Sequence, residues 1–135
     1  MTKRYAIQIL YTERCRFLPL AVERVRDALS LRDDNLDVEV RLILVESFSD
    51  AVARRFRGSP TVRIDDHDVE TRGGPVGRIG LMPRGYMVDT RVERAPSVTS
   101  IRRALDDVIA LERARTSVKF VRTWTSAPVM AEVST

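Results

Sequence analysis

The stretch that decides the fold runs from residue 5 to residue 21 and reads YAIQILYTERCRFLPLA. Its first part, Tyr5 to Tyr11, is rich in β-branched and aromatic side chains, which is typical of a central β-strand. Residues 12–18 break this pattern and contain the single cysteine of the chain, Cys15. A helix is predicted from Pro19, because proline fits a first helical turn, where its missing N–H would have no partner. The chain therefore opens with a strand, a cysteine-bearing loop and a helix.

Strand-like and helix-like patterns continue to alternate after this stretch. Residues 36–45 alternate and then become apolar, which predicts a strand entering the centre of a sheet. Residues 47–58 predict a short helix with Ser47 as its N-cap and Gly58 as its C-terminal stop. The remaining predicted elements are a third strand at Thr61–Ile64, an acidic turn at residues 65–68, a glycine-rich loop at residues 72–85, a fourth strand at Tyr86–Val92 and the longest helix at Val98–Arg113.

The C-terminal residues show a different pattern. Val118, Phe120 and Trp124 fall on alternate positions, which predicts an extra strand. This strand would extend the sheet, cross to a second subunit or lie loose. Because it contains the only tryptophan of the chain, Trp124, we expect it to pack against other parts of the protein. We expect a domain at residues 1–115 and an extension at residues 116–135 that packs on it or on a second subunit. The order β-α-β-α-β-β-α predicts an α/β domain with a mixed four-stranded sheet and helices on both faces.

Composition excludes several classes of protein. At 135 residues the chain has the length of about one domain with a single core. No stretch approaches the roughly 18 apolar residues that cross a bilayer, and the N-terminus does not resemble a signal peptide. We therefore expect a cytoplasmic protein with no membrane partner. One cysteine and one histidine are too few for a structural zinc site, which needs about four ligands, and no cofactor is expected.

The net charge of +4 is carried almost entirely by arginine, since Lys3 and Lys119 are the only lysines. Such usage is typical of a GC-rich genome, for example that of an actinobacterium. The arginines are interleaved with acidic residues, as at residues 23–27 and 102–107, which is typical of solvated helix faces and not of a phosphate-binding stripe. Nucleic acid is therefore not an expected partner.

Three stretches carry a resemblance to known proteins. They are the strand, cysteine and Pro19 of residues 9–21, the Gly-Ser-Pro-Thr-Val strand entry of residues 57–65, and residues 80–86 followed by Pro96-Ser97 and the last helix. Together they cover residues 5 to about 112. They resemble the thioredoxin superfamily, and more closely small bacterial thioredoxin-like proteins grouped with mercury-resistance and alkylmercury-lyase-related proteins. The resemblance implies a thioredoxin-like fold in which Pro60 is cis and lies against Cys15.

Two departures from this resemblance bear on function. Many relatives have a second cysteine three residues after the first, where this chain has Leu18, and some have another where this chain has Pro83. A dithiol–disulfide cycle therefore cannot run within this chain. The lack of a second thiolate also disfavours the handling of mercury or another soft metal.

Cys15 has two interpretations, which the sequence leaves open. It precedes a helix N-terminus and lies between Arg14 and Arg16, so positive charge favours a reactive thiolate that forms mixed disulfides with a small thiol such as glutathione. Alternatively, it is an inert residue left after redox function was lost, and Leu18 favours this interpretation because relic sites fill with apolar side chains. Under the first interpretation Cys15 and Pro60 are the catalytic residues.

The remaining candidates concern ligand binding. Arg14, Arg16, Leu18, Ser59 and Arg84 are the predicted ligand-binding residues, with arginines in the glycine-rich loop attracting an anion and the loop acting as a lid. The function is then either monothiol disulfide exchange, or binding or non-redox catalysis on a repurposed thioredoxin fold in actinobacterial specialised metabolism. The expected partner is a small-molecule thiol or an apolar ligand, and a homodimer is a further candidate. The cluster Asp65-Asp66-His67-Asp68 is interpreted as a solvated turn.

Overall fold

The chain alternates strands and helices around one main sheet. The computed structural model describes residues 3–70 and 79–133, of which residues 117–133 are described as helical backbone. The elements are β1 (Arg4–Tyr11), α1 (Leu18–Ser30), β2 (Asp37–Leu44), α2 (Phe48–Arg54), β3 (Thr61–Ile64), β4 (His67–Asp68), β5 (Tyr86–Val88), β6 (Arg91–Glu93) and α3 (Val98–Val133). The chain divides into two compact units, Met1–Leu105 and Asp106–Thr135. The sheet belongs to the first unit.

The main sheet has four strands in the order β2-β1-β3-β4. β1 pairs in parallel with β2 over eight residues and antiparallel with β3, so the sheet is mixed. Ile7 and Ile9 of β1 and their partners Ile64 and Val62 of β3 are fully buried. The α/β class and the mixed four-stranded sheet predicted from the sequence are therefore confirmed, with β1 in its interior.

The first two helices begin where their sequences predict. Pro19 lies in the first turn of α1, and Ala21, Val25 and Ala28 form its buried stripe. The Ser47 hydroxyl caps α2 by accepting a hydrogen bond of 3.1 Å from the Asp50 backbone N–H.

The predicted C-terminal stop of α2 is wrong. The helix ends at Arg54, and Arg55 takes the left-handed conformation with φ 53°. Gly58 lies three residues further along and has a different role, described below. The sequence pattern favoured Gly58 because glycine adopts a left-handed cap without steric cost, but here an arginine adopts it.

Two predictions about the strands are also wrong. β2 lies at the edge of the sheet and not at its centre, and its Val40 and Leu42 side chains are 43% and 52% exposed. The fourth strand of the main sheet is the two-residue β4, which pairs with β3 across a turn at Asp65-Asp66, where both residues have positive φ. Such a two-residue turn matches the twist of a β-hairpin.

Residues 86–93, where one strand was expected, instead form the hairpin β5-β6. This hairpin is a separate two-stranded sheet. Asp89, with φ 58°, lies between the two strands and allows the chain to reverse there.

The predicted C-terminal strand is wrong as well. Residues 98–133 form one helix, α3, in which Val118, Phe120 and Trp124 are included. Residues 98–127 contain no glycine or proline, and adding a residue to an existing helix costs much less than starting a new element. No helix in the described part of the chain is long and apolar enough to cross a membrane.

Candidate functional site

Cys15 lies in the loop between β1 and α1. The Cys15 backbone N–H donates a hydrogen bond of 3.0 Å to the Thr12 carbonyl, which closes a tight turn directly after the strand. The thiol-bearing residue is neither fully buried nor fully exposed, and it is not in a disulfide. The end of a buried strand therefore holds Cys15, and the residue is partly exposed to solvent.

The N-terminus of α1 adds positive potential to this loop. Phe17 occupies the N-cap position and provides no side-chain acceptor, Pro19 follows in the first turn, and no acidic residue lies in that turn. The first backbone N–H groups of a helix carry partial positive charge when no side chain caps them. Arg14 and Arg16 are both exposed on either side of Cys15. A helix N-terminus and two exposed guanidinium groups therefore lie next to Cys15 in this loop.

The Ser59-Pro60 peptide bond is cis, as the resemblance implied. Ser59 and Pro60 are buried at the start of β3. The Ser59 hydroxyl accepts a hydrogen bond of 3.0 Å from the Thr12 backbone N–H, at the start of the Cys15 turn. The Ser59 backbone binds residues 82–84 through two hydrogen bonds of 3.0 Å each. Its N–H donates to the Met82 carbonyl, and its carbonyl accepts from the Arg84 N–H. Ser59 thereby joins three segments that are distant in sequence.

Gly58 allows these segments to approach. It has φ 116°, and a Cβ atom at this position would lie 2.7 Å from the Met82 carbonyl oxygen and 3.1 Å from the Arg84 Cβ. Both the backbone conformation and the close contact exclude a larger residue. This glycine is therefore required for the packing beside Ser59, and not for ending α2.

Arg84 has a structural environment that differs from the predicted ligand-binding role. Its guanidinium is 8% exposed and forms two hydrogen bonds to Asp68, of 2.6 and 2.9 Å, and one of 3.2 Å to the Thr61 hydroxyl. Burial opposes its charge, but the hydrogen bond to Asp68 together with the charges of Tyr86, Asp68 and Glu70 outweighs burial and raises the pKa of Arg84. The guanidinium also lies 4.6 Å from the centre of the Tyr86 ring. This geometry gives no support to anion binding by Arg84, because Asp68 already neutralises it.

Tyr86 completes the same buried group. Its hydroxyl donates a hydrogen bond to the Pro60 carbonyl, directly beside the cis peptide bond. Burial raises the pKa of the Tyr86 hydroxyl far above its usual range, although the neighbouring Arg84 opposes this rise. The hydroxyl therefore remains protonated and continues to donate to Pro60.

A cleft of about 590 Å³ opens at the carboxyl ends of β1 and β2. Its lining residues come from the Cys15 loop, the end of β2 and the glycine-rich loop, and they are Thr12, Glu13, Arg14, Leu44, Val45, Glu46 and Leu81. Of the lining residues, Val45 also belongs to a small buried core with Leu10, Ala51 and Phe56. The cleft combines an apolar wall with two carboxylates and one guanidinium.

The structure brings together some of the predicted site residues and leaves others apart. Arg14 lines the cleft, and Ser59 is hydrogen-bonded to the loop that carries Cys15. Cys15, Arg16 and Leu18 belong to the same loop or the helix after it, but they do not line the cleft. The predicted lid over Cys15 falls largely on residues 71–78, which lie outside the described residues.

Sequence reasoning can place Glu13 and Glu46 near strand ends, but it does not bring them and Leu81 into one cleft. Glu13 and Glu46 directly follow neighbouring parallel strands, and the carboxyl ends of such strands meet at one edge of a sheet, where ligands commonly bind. That rule would have placed the two carboxylates together. No local signal identifies Leu81, because its position depends on the contacts of Met82 with Ser59.

The acidic cluster at residues 65–68 has structural partners. Asp65 accepts hydrogen bonds of 2.8 Å from the Ala6 N–H and from Lys3, and Asp68 binds Arg84. His67 is exposed in β4. Among residues 3–70 and 79–116, no three His, Cys, Asp or Glu side chains form a group that could hold a metal ion.

Comparison of the chain with protein-family models, with curated proteins and with solved structures found no match.

Proposed function

We propose that this chain is a thioredoxin-like protein whose single thiol, Cys15, exchanges with small-molecule disulfides. The observation that carries the proposal is the position of Cys15. It follows an interior strand, precedes a helix N-terminus that no side chain caps, and lies in a turn that is hydrogen-bonded to the cis-proline segment through Thr12 and Ser59. The thiolate is the reactive form of a cysteine in such exchange, and a helix N-terminus and the exposed Arg14 and Arg16 lie beside this residue.

The topology supports the thioredoxin-like part of the proposal. A β-α-β unit with parallel strands is followed by a helix and by an antiparallel strand that begins at a cis-proline. The separate β5-β6 hairpin departs from the four-stranded arrangement that the resemblance implies, since the fourth strand of the sheet is the short β4.

The exchange proceeds in two steps. The Cys15 thiolate attacks one sulfur of a disulfide RS–SR, so that a Cys15–SR bond forms, the RS–SR bond breaks, and RS⁻ leaves and takes a proton from water. A glutathione thiolate then attacks the outer sulfur of this mixed disulfide. This step releases RS–SG, restores the Cys15 thiolate and uses glutathione as the reductant. No second cysteine is needed.

The test is glutathione-dependent reduction of bis(2-hydroxyethyl) disulfide, followed with glutathione reductase and NADPH. Wild-type protein should accelerate the reaction, and Cys15→Ser should lower it to the uncatalysed rate while retaining its circular dichroism spectrum. Arg102→Glu, which changes an exposed residue of α3, is the control and should retain full activity. A Cys15→Ser variant with wild-type activity would contradict the proposal.

The cleft at the ends of β1 and β2 favours a second candidate, a non-redox binding module for a small, partly apolar molecule. Clefts with apolar walls and few polar groups are typical ligand sites. The neutral fluorescent probe Nile red tests this candidate. Under it, the probe should bind wild-type and Cys15→Ser protein equally, and Leu81→Glu should abolish binding by placing a charge on the apolar wall. Binding that is unchanged in Leu81→Glu would locate the probe elsewhere and exclude this use of the cleft.

A further inference from the structure

Among the described residues, the outer edge of β2 has no bulge, no proline and no paired strand. β2 pairs with β1 in an unbroken register from Asp37 to Leu44, and among the described strands it pairs with no other. It contains no proline, glycine or lysine. A long, regular edge strand presents a row of backbone N–H and C=O groups, which proteins usually interrupt with a bulge or proline, or cover.

One face of β2 is apolar and incompletely covered. Val38, Val40 and Leu42 lie on the same face of the sheet as Ile7 and Ile9, because directly paired residues point the same way. Ile7 and Ile9 are fully buried, whereas Val40 is 43% and Leu42 52% exposed. The apolar layer of the sheet therefore continues to its edge and beyond the part that is covered.

The other face of β2 carries opposite charges two residues apart. Glu39 and Arg41 form an exposed ion pair with an N–O distance of 3.0 Å. Residues two apart on a strand share a face, so these charges lie on either side of Val40. Outward from Val40, the nearest residue on each side is charged (Glu39 and Arg41) and the next is apolar (Val38 and Leu42). The match ends there, since Asp37 is charged and Ile43 is apolar.

We propose that a second copy of this chain pairs with β2 in antiparallel orientation, with the two-fold axis at Val40. Val40 then opposes Val40 of the copy, Val38 opposes Leu42, and Glu39 opposes Arg41 twice. Each of these cross-strand pairs is favourable. The proposal is independent of the thiol chemistry proposed for Cys15.

Charge and pattern select this register. If the two strands slip by one residue, the axis lies between Val40 and one of its neighbours. Val40 then opposes a charged residue, Glu39 or Arg41, and the apolar and charged faces no longer match. A shift that moves the axis to residue 39 opposes two copies of Glu39, and a shift to residue 41 opposes two copies of Arg41. Like charges directly opposite one another are destabilising. Of the axes at residues 39, 40 and 41, only the axis at Val40 opposes no like charges and keeps the apolar residues 38, 40 and 42 opposite one another. This pairing joins two four-stranded sheets into one continuous sheet.

Sedimentation velocity of the full-length protein over a range of concentrations tests the proposal. The wild type should approach twice the 15.3 kDa chain mass at high concentration. Glu39→Arg opposes arginines at both pairs, and Arg41→Glu opposes glutamates, so each variant should raise the dimer dissociation constant by at least about tenfold. Glu23→Arg and Arg102→Glu change exposed residues of α1 and α3, and as controls they should dimerise like the wild type.

Restoration of complementary charge makes the test specific. The double variant Glu39→Arg/Arg41→Glu should dimerise again, and an equimolar mixture of the two single variants should form a heterodimer, because every opposed pair is then unlike. A wild type that stays monomeric at all concentrations would overturn the proposal and would indicate that another part of the chain covers this edge. A dimer that both single variants leave intact would also overturn it, because the copies would then meet elsewhere.

Discussion

Ser59 shows how one residue can determine the position of the candidate thiol. Its hydroxyl binds the Thr12 backbone N–H, and Thr12 accepts the hydrogen bond that closes the turn at Cys15. We expect Ser59→Ala to lower the free energy of unfolding by about 1 kcal/mol, because the partly buried Thr12 N–H loses its acceptor. It should also slow exchange at Cys15, since the turn loses its fixed attachment.

Urea unfolding and the disulfide-exchange assay check this expectation together. Ser30→Ala is the matched control, because the Ser30 hydroxyl is exposed and binds only within its own helix, to the Asp27 carbonyl. The account of Ser59 would fail if Ser59→Ala exchanged at the wild-type rate, or if Ser30→Ala were equally impaired.

The raised pKa of Tyr86 predicts how the free energy of unfolding changes at alkaline pH. Its pKa in the folded protein is raised above the value of about 10 that it has when unfolded. The stability it contributes is therefore present below about pH 10 and is lost as the pH rises above that value, where the unfolded chain releases a proton that the folded chain keeps. The free energy of unfolding should fall there by up to about 1.4 kcal/mol per pH unit from this residue.

Urea titrations between pH 8 and pH 11 measure this slope. Tyr86→Phe should be less stable at pH 8, because the Pro60 carbonyl loses its donor. Its slope above pH 10 should be shallower than that of the wild type, since the titrating group is gone. Identical slopes in the two proteins would show that Tyr86 does not titrate differently on folding.

The ends of α2 illustrate what can be predicted at the scale of an element. Ser47 and Asp50 have the spacing of an N-cap, and the structure contains this cap. The C-terminal end could not be predicted, because a left-handed residue is usually glycine or asparagine and Arg55 is neither. Gly58 lies nearby, but glycine is needed there because the side chain of any other residue would collide with the Met82 carbonyl. No local sequence pattern reveals this contact.

Arg55→Gly should stabilise the protein. A non-glycine residue in the left-handed region costs about 1–2 kcal/mol, and glycine removes most of that cost. We expect a gain of about 1 kcal/mol and a rise of a few degrees in Tm, measured by circular dichroism. The neighbouring Arg54→Gly is the control, and it should cost about 1 kcal/mol because Arg54 lies within the helix. A lower Tm for Arg55→Gly would contradict this account.

At the scale of the whole molecule, the sequence predicts individual strands and helices better than it predicts which strands lie next to each other in the sheet. β1, α1 and β3 are local features that their own residues specify, and each lies where predicted. The cis bond at Pro60 was expected only from the resemblance, and it too is present. The edge position of β2 was missed, because an apolar run such as Leu42 to Val45 is common to central and edge strands. The order of strands depends on contacts between distant residues, and short alternation such as that of residues 118–124 does not distinguish a strand from the continuation of a helix.

The cleft is likewise a property of the whole molecule, since three separate segments form it. Its carboxylates, Glu13 and Glu46, should repel anionic substrates. We expect Glu46→Gln to raise the exchange rate with glutathione disulfide, which is anionic, by roughly twofold at low ionic strength, and to leave the rate with neutral bis(2-hydroxyethyl) disulfide unchanged. Glu23→Gln, an exposed change in α1, should alter neither rate. Equal effects of Glu46→Gln on both substrates would show that the cleft does not face the substrate.

The most direct test of the central claim is the rate at which Cys15 forms a mixed disulfide with glutathione disulfide at pH 7. The addition of one glutathione per chain is followed by mass spectrometry, in folded protein and in protein unfolded by urea. If the fold activates the thiol, the folded protein should react at least about tenfold faster than the unfolded chain. A folded protein that reacts more slowly than the unfolded chain would show that the fold shields Cys15, and would contradict the proposed monothiol function.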